Sequence, residues 1–398
     1  MIHQLLDVLA GVDWHPEPGW DWQRFAEACD HHQVAPFVYC RLNRLPPGAV
    51  PPELLAHLRR RFYRISSGNY LLANYVVDWT QRLAAAQIPV LVYKGPAAAL
   101  TAYGDLALRE YLDLDLLIRP EHLTAAHEVL ARIGFRIPPG PGSEPDSPRR
   151  RREFHHDGFL APDQSHVLEL HWQLGGNLWQ SFGPDTGRFW ERTEIVQLPR
   201  GRVATMCRED LFLALCFHGA KHRWWCLKWL LDVAEMLRTA EGWDWGRIEE
   251  MLADRPGARA SASLGVLLAR ELLGVEAPAA AGRVLPVSAR IRAVGDAIRE
   301  EILTRGHCED DPHRTLLGLE ERRWARVRYR CALWFRVNVR VNERDRAALR
   351  LPGWLGFLYG LVRPVRLIVK YGGQALRGKG QAGMQAGRPT PLTSSRRS

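Results

Sequence analysis

Two aspartates interrupt the apolar run at residues 112–118, whose sequence is Leu-Asp-Leu-Asp-Leu-Leu-Ile. In a β-strand, alternate side chains face opposite sides of the sheet, so Asp113 and Asp115 share one side and the leucines between them share the other. Two neighbouring carboxylates repel each other unless a positive charge lies between them. A divalent cation such as Mg²⁺ or Mn²⁺ meets that need, because both ions prefer oxygen ligands. A surface strand with alternating charge is the other interpretation of the pattern.

A third carboxylate lies in a second apolar run, at residues 166–172, whose alternation also predicts a strand. Val167, Glu169 and His171 would share one face of that strand. If the strand lies beside residues 112–118, Glu169 completes a set of carboxylates suited to two metal ions. Taken alone, Glu169 would be interpreted as a half-exposed strand residue.

The segment before the aspartates has the composition of a buried strand that leads into a helix. Ile88–Tyr93 is apolar and ends at Lys94-Gly95, after which Ala97–Tyr103 predicts a helix. Gly95 allows a ligand to approach the backbone closely, and the N-terminus of a helix favours phosphate. Lys94 is one of only five lysines among 54 basic residues, and its ammonium group can bind phosphate oxygens.

Helical periodicity dominates the rest of the chain, at residues 22–29, 51–66, 70–86, 121–134, 209–239, 245–253, 260–273, 287–304 and 320–339. A further strand is predicted at 154–160, after a loop at 138–148 that is rich in Pro, Gly and Ser. The predicted fold class is α+β, with a short mixed β-sheet and helices at 87–175. An N-terminal helical region at 1–86 and a larger C-terminal helical region at 176–370 flank it. Residues 371–398 are expected to form a disordered basic tail.

The net charge of +10 is concentrated at the C-terminus. Residues 373–398 hold five basic residues and no acidic ones, so half of the excess positive charge lies there. The remainder of the chain is only mildly basic, which disfavours nucleic acid as a partner. The four consecutive arginines at 149–152 have no aromatic residues between them, which favours a solvated loop.

Cysteine spacing and hydropathy predict a reducing, cytoplasmic location. The seven cysteines include no C-x-x-C pair, which disfavours a disulfide framework and a structural zinc site. No window of about 18 consecutive apolar residues predicts a transmembrane segment, and the N-terminus lacks the basic region of a secretory signal. Residues 351–370, an apolar run followed by basic residues, suit either a packed terminal helix or a weak peripheral contact with a membrane.

A predicted helix at 211–237 carries three basic side chains on one face. Lys221 and His222 follow His218 by three and four residues, so both are neighbours of His218 on a helix surface. This face could close over a phosphate chain, or it could be a solvated cationic surface beside an aromatic core. A zinc site formed by the two histidines and Cys226 is a third interpretation.

The order of these segments resembles the polymerase-β-like nucleotidyltransferase superfamily, and most closely the group known as uncharacterised nucleotidyltransferase family proteins. The resemblance covers about residues 25–240. It runs through His32–Phe37, Ile88–Gly95, Tyr103, Arg109, Asp113–Ile118, Gly134-Phe135, Leu168–Trp172, Leu215–His222 and Leu227–Asp232. The combined order of these segments is more specific than any one of them.

The resemblance implies an enzyme that transfers a nucleoside monophosphate from a nucleoside triphosphate (NTP) such as ATP and releases pyrophosphate, with Mg²⁺ or Mn²⁺ as its cofactor. Asp113, Asp115 and Glu169 would bind the metal, and Glu169 would also accept a proton from the attacking group. The residues that would bind the nucleotide are Lys94, Gly95, Arg109, His218, Lys221 and His222. The wider superfamily has Gly-Ser or Gly-Gly at the position of Lys94-Gly95, so a phosphate contact from a serine hydroxyl is not implied.

Two questions stay open at the level of sequence. The acceptor hydroxyl or amine could belong to a small molecule, a sugar, a peptide or a protein. Arg109 could contact phosphate or pair with Glu110 or Asp105. The alternative to an enzyme is a non-catalytic protein with the same fold that serves as a binding or scaffold protein, at a membrane surface if 351–370 makes that contact.

Overall fold

The computed structural model describes residues 1–12, 20–138, 154–164, 166–176 and 182–338. The chain divides into two compact units, Met1–Ala325 and Arg326–Ser398. The arginine run at 149–152, the apolar and basic segment at 351–370 and the tail at 371–398 lie outside the described residues. Of the helices that the structure describes, none combines the length and the apolar character needed to cross a membrane.

Four strands form a mixed sheet in the order β1-β2-β4-β3. They are β1 (Val90–Val92), β2 (Asp113–Ile118), β3 (His156–Leu160) and β4 (Val167–His171). β2 runs antiparallel to β1 and parallel to β4, and β3 runs antiparallel to β4. All four strands lie where the sequence predicts them, and the α+β class is confirmed.

The described residues also form fourteen α-helices and a second, two-stranded sheet. In chain order the helices are α1 (Ile2–Ala10), α2 (Trp22–His31), α3 (Ala35–Leu42), α4 (Pro52–Ala85), α5 (Pro96–Tyr103), α6 (Leu123–Arg132), α7 (Arg208–Lys221), α8 (Leu227–Arg238), α9 (Trp245–Leu252), α10 (Pro256–Leu273), α11 (Ala279–Val284), α12 (Ala289–Arg305), α13 (Pro312–Leu319) and α14 (Arg323–Asn338). Short 3₁₀ helices occupy Pro120–His122 and Thr186–Trp190. The second sheet pairs β5 (Thr193–Leu198) with β6 (Gly201–Met206).

One face of the four-stranded sheet forms the core with α4 and α6. Leu114 and Leu116 of β2 and Leu168 and Leu170 of β4 are fully buried in the same apolar cluster as residues of those two helices. Each buried leucine stabilises the fold by about 1.5–3 kcal/mol relative to exposure. Because side chains alternate along a strand, the carboxylates between these leucines are left on the other face.

The helices predicted at 51–66 and 70–86 are one continuous helix, α4. Ser66, Ser67, Gly68 and Asn69 have the composition of a turn, but tertiary contacts keep this segment helical. The buried Asn69 amide donates hydrogen bonds to the carbonyl oxygens of Leu106 and Arg109, at 2.6 and 2.8 Å. Asn69 therefore satisfies the backbone of the segment that leads into β2.

Within the C-terminal region predicted as mainly helical at 176–370, β5 and β6 form an antiparallel hairpin ahead of α7. Leu198 and Val203 of this hairpin are buried in the same core as α4. Gly201 approaches α4 so closely that a Cβ atom there would lie 2.8 Å from Val77 Cγ1. Packing against a helix more than a hundred residues earlier in the chain therefore holds this hairpin.

The helix predicted at 211–237, or 209–239 at its widest, is also two helices, α7 and α8. The chain turns between them at Arg223 and Trp224, whose φ angles are 53° and 54°. Such a conformation costs roughly 1–2 kcal/mol per residue, and buried contacts compensate for it. The Arg223 guanidinium lies 2.9 Å from Glu301 Oε2, and the buried Trp224 ring packs on Gly219.

The packing of Trp224 on Gly219 predicts a large effect of a single methyl group. A Cβ atom at Gly219 would lie 2.2 Å from Trp224 Cζ3, so Gly219→Ala should lower the free energy of unfolding by about 1–3 kcal/mol. Gly282→Ala is the matched control, because Gly282 lies in α11 with nothing within 4 Å of its added Cβ. Denaturant unfolding should show no loss for the control, and an equal loss in both variants would contradict this account.

Candidate active site

The turn after β1 depends on a glycine. Gly95 has φ 54° and ψ −125°, a conformation that residues with a side chain rarely adopt. A Cβ atom at this position would lie 3.3 Å from Leu114 Cδ2, so glycine also allows the chain to pass close to β2. The turn brings the side chain of Lys94 across to β2, where its Nζ lies 2.8 Å from Asp115 Oδ1.

Asp115 is buried and accepts hydrogen bonds from three side chains at one oxygen, Oδ1. The donors are Lys94 Nζ at 2.8 Å, His171 Nε2 at 3.0 Å and the Tyr93 hydroxyl at 3.4 Å. Burial alone would raise the pKa of Asp115, but the charge of Lys94 and the hydrogen bonds from His171 and Lys94 hold that pKa well below its usual range. Asp115 is therefore ionised at every physiological pH.

Glu169 lies on the neighbouring parallel strand, directly beside Asp115 in the register of β2 and β4. His171 Nε2 lies 3.1 Å from Glu169 Oε2, so this imidazole bridges the two carboxylates. Burial would raise the pKa of Glu169, but the hydrogen bond from His171 lowers it. Conversely, burial would lower the pKa of His171, and its bonds to Asp115 and Glu169 raise it.

Asp113 begins β2 and is partly exposed. Burial and the charge of Asp115 raise its pKa, although Lys94 acts in the opposite direction. Within the part of the chain that the structure describes, no side chain hydrogen-bonds to this carboxylate. A carboxylate that repels a charged neighbour is stabilised by a cation placed between them.

The three carboxylates fit a divalent metal ion. Asp113 and Asp115 lie on the same face of β2, and Glu169 lies beside Asp115 on the same face of the sheet. Carboxylate oxygens are the ligands that Mg²⁺ and Mn²⁺ prefer in proteins. The three residues that the sequence predicts as metal ligands thus lie on the same face of the sheet. Their binding of a metal ion stays a prediction.

Two further histidines, which the sequence analysis did not single out, lie at this face of the sheet. His156 pairs with His171 in the register of β3 and β4, and the two rings stack with centroids 4.9 Å apart. His155 lies against His156, with ring centroids 4.5 Å apart. Burial, together with the charge of His171, lowers the pKa of His156 to about 4. The His-His pair at the start of a predicted strand was the signal that could have indicated them.

Lys221, at the end of α7, lies on the same side as Lys94 and the carboxylates. Its Nζ is 3.5 Å from His155 Nε2. Burial lowers the pKa of Lys221 to about 8, and the nearby charge of Lys94 adds to this effect, whereas Glu169, Asp310 and Asp115 oppose it. Lys221 therefore gains from any additional negative charge that enters the site.

His218 lies in the last turn of α7, and His222 follows the last residue of that helix. The two rings lie 4.8 Å apart and both contact Trp229, but their other partners differ. His218 packs against the ring of Trp229 at 4.9 Å, and burial and the charge of Lys94 hold its pKa well below the usual value. His222 Nδ1 lies 3.2 Å from Asp310 Oδ1. Cys226 points elsewhere, since its Sγ donates to the carbonyl oxygen of His32. The geometry therefore contradicts the interpretation of His218, His222 and Cys226 as a zinc site.

Arg109 is engaged in a buried ion pair with Asp232 of α8, not with Glu110 or Asp105. Its Nε and Nη2 each lie 2.9 Å from a carboxylate oxygen of Asp232. The Tyr103 hydroxyl donates to the same carboxylate at 2.7 Å. Such a bidentate pair fixes the guanidinium plane, so Arg109 joins the segment before β2 to α8. In the described structure, both of these guanidinium nitrogens of Arg109 are therefore engaged by Asp232.

A family comparison now adds to the geometry. Residues 18–274 match the model of a family described as uncharacterised nucleotidyltransferase. The match spans the four-stranded sheet, the Lys94-Gly95 turn, the three carboxylates, α7 and α8. The fold and the site thus define a nucleotidyltransferase-type domain.

Since the matched segment is well over half of the chain, the protein belongs to the uncharacterised nucleotidyltransferase family. Searches of curated proteins and of solved structures found no match.

Proposed function

We propose that this protein transfers a nucleoside monophosphate from an NTP to an acceptor hydroxyl or amine and releases pyrophosphate. Membership of the family supports a transferase of this general class. The observation that carries the proposal is the register of β2 and β4, in which Asp115 and Glu169 are direct neighbours beside the Lys94-Gly95 turn. The arrangement combines a negative pocket for a cation with lysines for a phosphate chain.

Asp113, Asp115 and Glu169 are the residues that would hold Mg²⁺ or Mn²⁺. When bound, such an ion supplies charge stabilisation to the α-phosphate and to the departing pyrophosphate. With the charge of Asp115 neutralised by such an ion, Lys94 would no longer be held in its ion pair with that carboxylate. The freed ammonium group is placed to bind phosphate oxygens, as Gly95 leaves the backbone of this turn accessible.

Lys221 provides a second cation, and His218 a neutral imidazole, for the phosphate chain. Charge-assisted hydrogen bonds from such groups stabilise a phosphate most strongly where water is partly excluded. The ion pair of His222 with Asp310 and that of Arg109 with Asp232 make those two residues positioning residues in this proposal. Direct contacts with the nucleotide are therefore assigned to Lys94, Gly95, His218 and Lys221.

In the reaction, the acceptor oxygen or nitrogen attacks the α-phosphorus in line with the bond to the β-phosphate oxygen. That bond breaks, and pyrophosphate leaves. Glu169 accepts the proton of the acceptor, since its lowered pKa keeps it ionised before the reaction. We also propose a reducing, cytoplasmic location, which the spacing of the seven cysteines supports.

Asp113→Asn tests the metal-binding carboxylates with the least disturbance of the fold, because it leaves the ion pair of Lys94 and Asp115 intact. Incubation with α-labelled NTPs, Mg²⁺ or Mn²⁺ and cell extract should give a labelled product with the wild type. Asp113→Asn should lower its formation by about 100-fold or more, the loss expected when one preorganised charge-stabilising group is removed.

The control for this experiment is Glu194→Gln, which removes an exposed acid on β5 outside the site. Its rate should equal that of the wild type. Full activity of Asp113→Asn would remove this residue from the mechanism. A wild type that labels nothing with any NTP, yet still binds NTPs, would favour the non-catalytic alternative.

Lys221→Ala should weaken NTP binding about 5- to 150-fold, equivalent to the roughly 1–3 kcal/mol of a charge-assisted hydrogen bond. Since the pKa of Lys221 is about 8, the lysine loses its charge as the pH rises through 8. The affinity of the wild type should fall over that interval, and calorimetric titration at several pH values measures it. In Lys221→Ala this part of the pH dependence should disappear.

Arg208→Ala is the matched control, because Arg208 is an exposed cation at the other end of α7, about 20 Å away along the helix axis. It should bind NTP as the wild type does. Equal affinities of wild type and Lys221→Ala would limit the nucleotide site to the sheet and the Lys94-Gly95 turn.

A further inference from the structure

We propose that His171 and His156 extend the carboxylate site into a nitrogen and oxygen site, with Glu169 shared between them, that prefers a transition-metal ion such as Mn²⁺ to Mg²⁺. The inference deepens the proposed function, on which it rests for the role of Glu169 in holding metal. It concerns metal binding by the protein alone and needs no nucleotide.

The sheet register places the two histidines in the row next to the carboxylates. Glu169 and His171 are two residues apart on β4, so their side chains share a face. β2 sets Asp115 beside Glu169, and β3 sets His156 beside His171. Three adjacent strands therefore contribute oxygen and nitrogen donors to one continuous patch.

The spacing of the donor atoms already matches that of a metal site. His171 Nε2 lies 3.0 Å from Asp115 Oδ1 and 3.1 Å from Glu169 Oε2. Neighbouring ligands of an ion bound at about 2.1 Å lie about 3.0 Å apart in an octahedral arrangement. His156, Glu169 and His171 each offer one ligand atom, and these three atoms lie within 4.8 Å of one another.

The ring nitrogens of this cluster have unused bonding capacity. Nδ1 of His171 and Nδ1 of His156 are both buried, and neither has a hydrogen-bond partner among the described residues. A buried polar atom without a partner is unfavourable. An ion bound at one of these Nδ1 atoms would remove that cost, whereas an ion bound at His171 Nε2 would leave the Nδ1 of the same ring unchanged.

The donor set determines which ions are preferred. Mg²⁺ takes oxygen ligands and retains its waters, whereas imidazole suits the later first-row ions such as Fe²⁺, Ni²⁺, Cu²⁺ and Zn²⁺. Mn²⁺ stands at the weak end of that series, but it accepts a nitrogen ligand more readily than Mg²⁺ does. Mn²⁺ also accepts carboxylates, so it can use both halves of the patch. Carboxylates alone also bind Mn²⁺, so ¹⁴N coupling to the bound ion is the observation that distinguishes imidazole ligands from a site made of carboxylates.

The experiment uses the full chain, freed of metal by chelation and titrated with Mn²⁺ in the absence of nucleotide. Electron paramagnetic resonance measures free Mn²⁺, and its pulsed form detects ¹⁴N nuclei coupled to the bound ion. The wild type should show ¹⁴N coupling and bind Mn²⁺ at least about tenfold more tightly than Mg²⁺, which is measured by competition. Bound Mn²⁺ without ¹⁴N coupling would overturn the inference.

His171→Gln and His156→Gln should each weaken Mn²⁺ binding at least about tenfold, since even the outer partners of metal ligands contribute about 10- to 100-fold. The affinity for Mg²⁺ should change much less. His155→Gln is the matched control, because His155 makes an edge-on ring contact with His156 but lies outside the cluster. The half-buried His156 keeps the test valid if the buried His171 variant fails to fold.

Failure of this inference and failure of the proposed function give different results. Transfer from NTP with Mg²⁺, combined with bound Mn²⁺ that lacks ¹⁴N coupling, would overturn the histidine ligands and leave the transferase intact. ¹⁴N coupling in a protein that transfers nothing would support the metal site and reject the transferase. Equal losses of Mn²⁺ and Mg²⁺ affinity in both histidine variants would reject the claimed preference.

Discussion

The buried ion pair between Lys94 and Asp115 is the contact on which the rest of the site depends. It joins the turn after β1 to the middle of β2, at an Nζ to Oδ1 distance of 2.8 Å. Removing one partner of such a pair leaves an uncompensated charge and costs about 3–5 kcal/mol. A metal ion bound at Asp115 would replace the charge of this same lysine. The ion pair therefore stabilises the turn and also holds Lys94 where it could bind the phosphates of a nucleotide.

The other elements hold this pair in place. The leucines of β2 and β4 pack one face of the sheet against α4 and α6. Because side chains alternate along a strand, the carboxylates lie on the other face. The ion pair of Arg109 with Asp232 ties the segment before β2 to α8. The turn at Arg223 and Trp224 ends α7 just after Lys221. The apolar core and these buried polar contacts therefore fix the positions of the charged side chains of the site.

The strands and their carboxylates could be predicted because their signal is local. The alternation around Asp113, Asp115 and Glu169 reports directly which side chains share a face. The partner of Arg109, the end of α7 and the β5–β6 hairpin could not be predicted, since each depends on a residue or helix remote in the chain. Asp232 lies 123 residues after Arg109, and no periodicity relates the two. His156 of β3 and the preceding His155 were missed because only the register of β3 and β4 brings His156 to His171.

The most direct test is a crystal structure with Mn²⁺ and an NTP analogue that cannot be cleaved between the α- and β-phosphates. The account predicts an anomalous scattering peak between Asp113, Asp115 and Glu169. It also predicts that Lys94 Nζ moves from Asp115 to the phosphate chain. A nucleotide bound elsewhere, or Mn²⁺ absent from these carboxylates while Lys94 stays paired with Asp115, would contradict it.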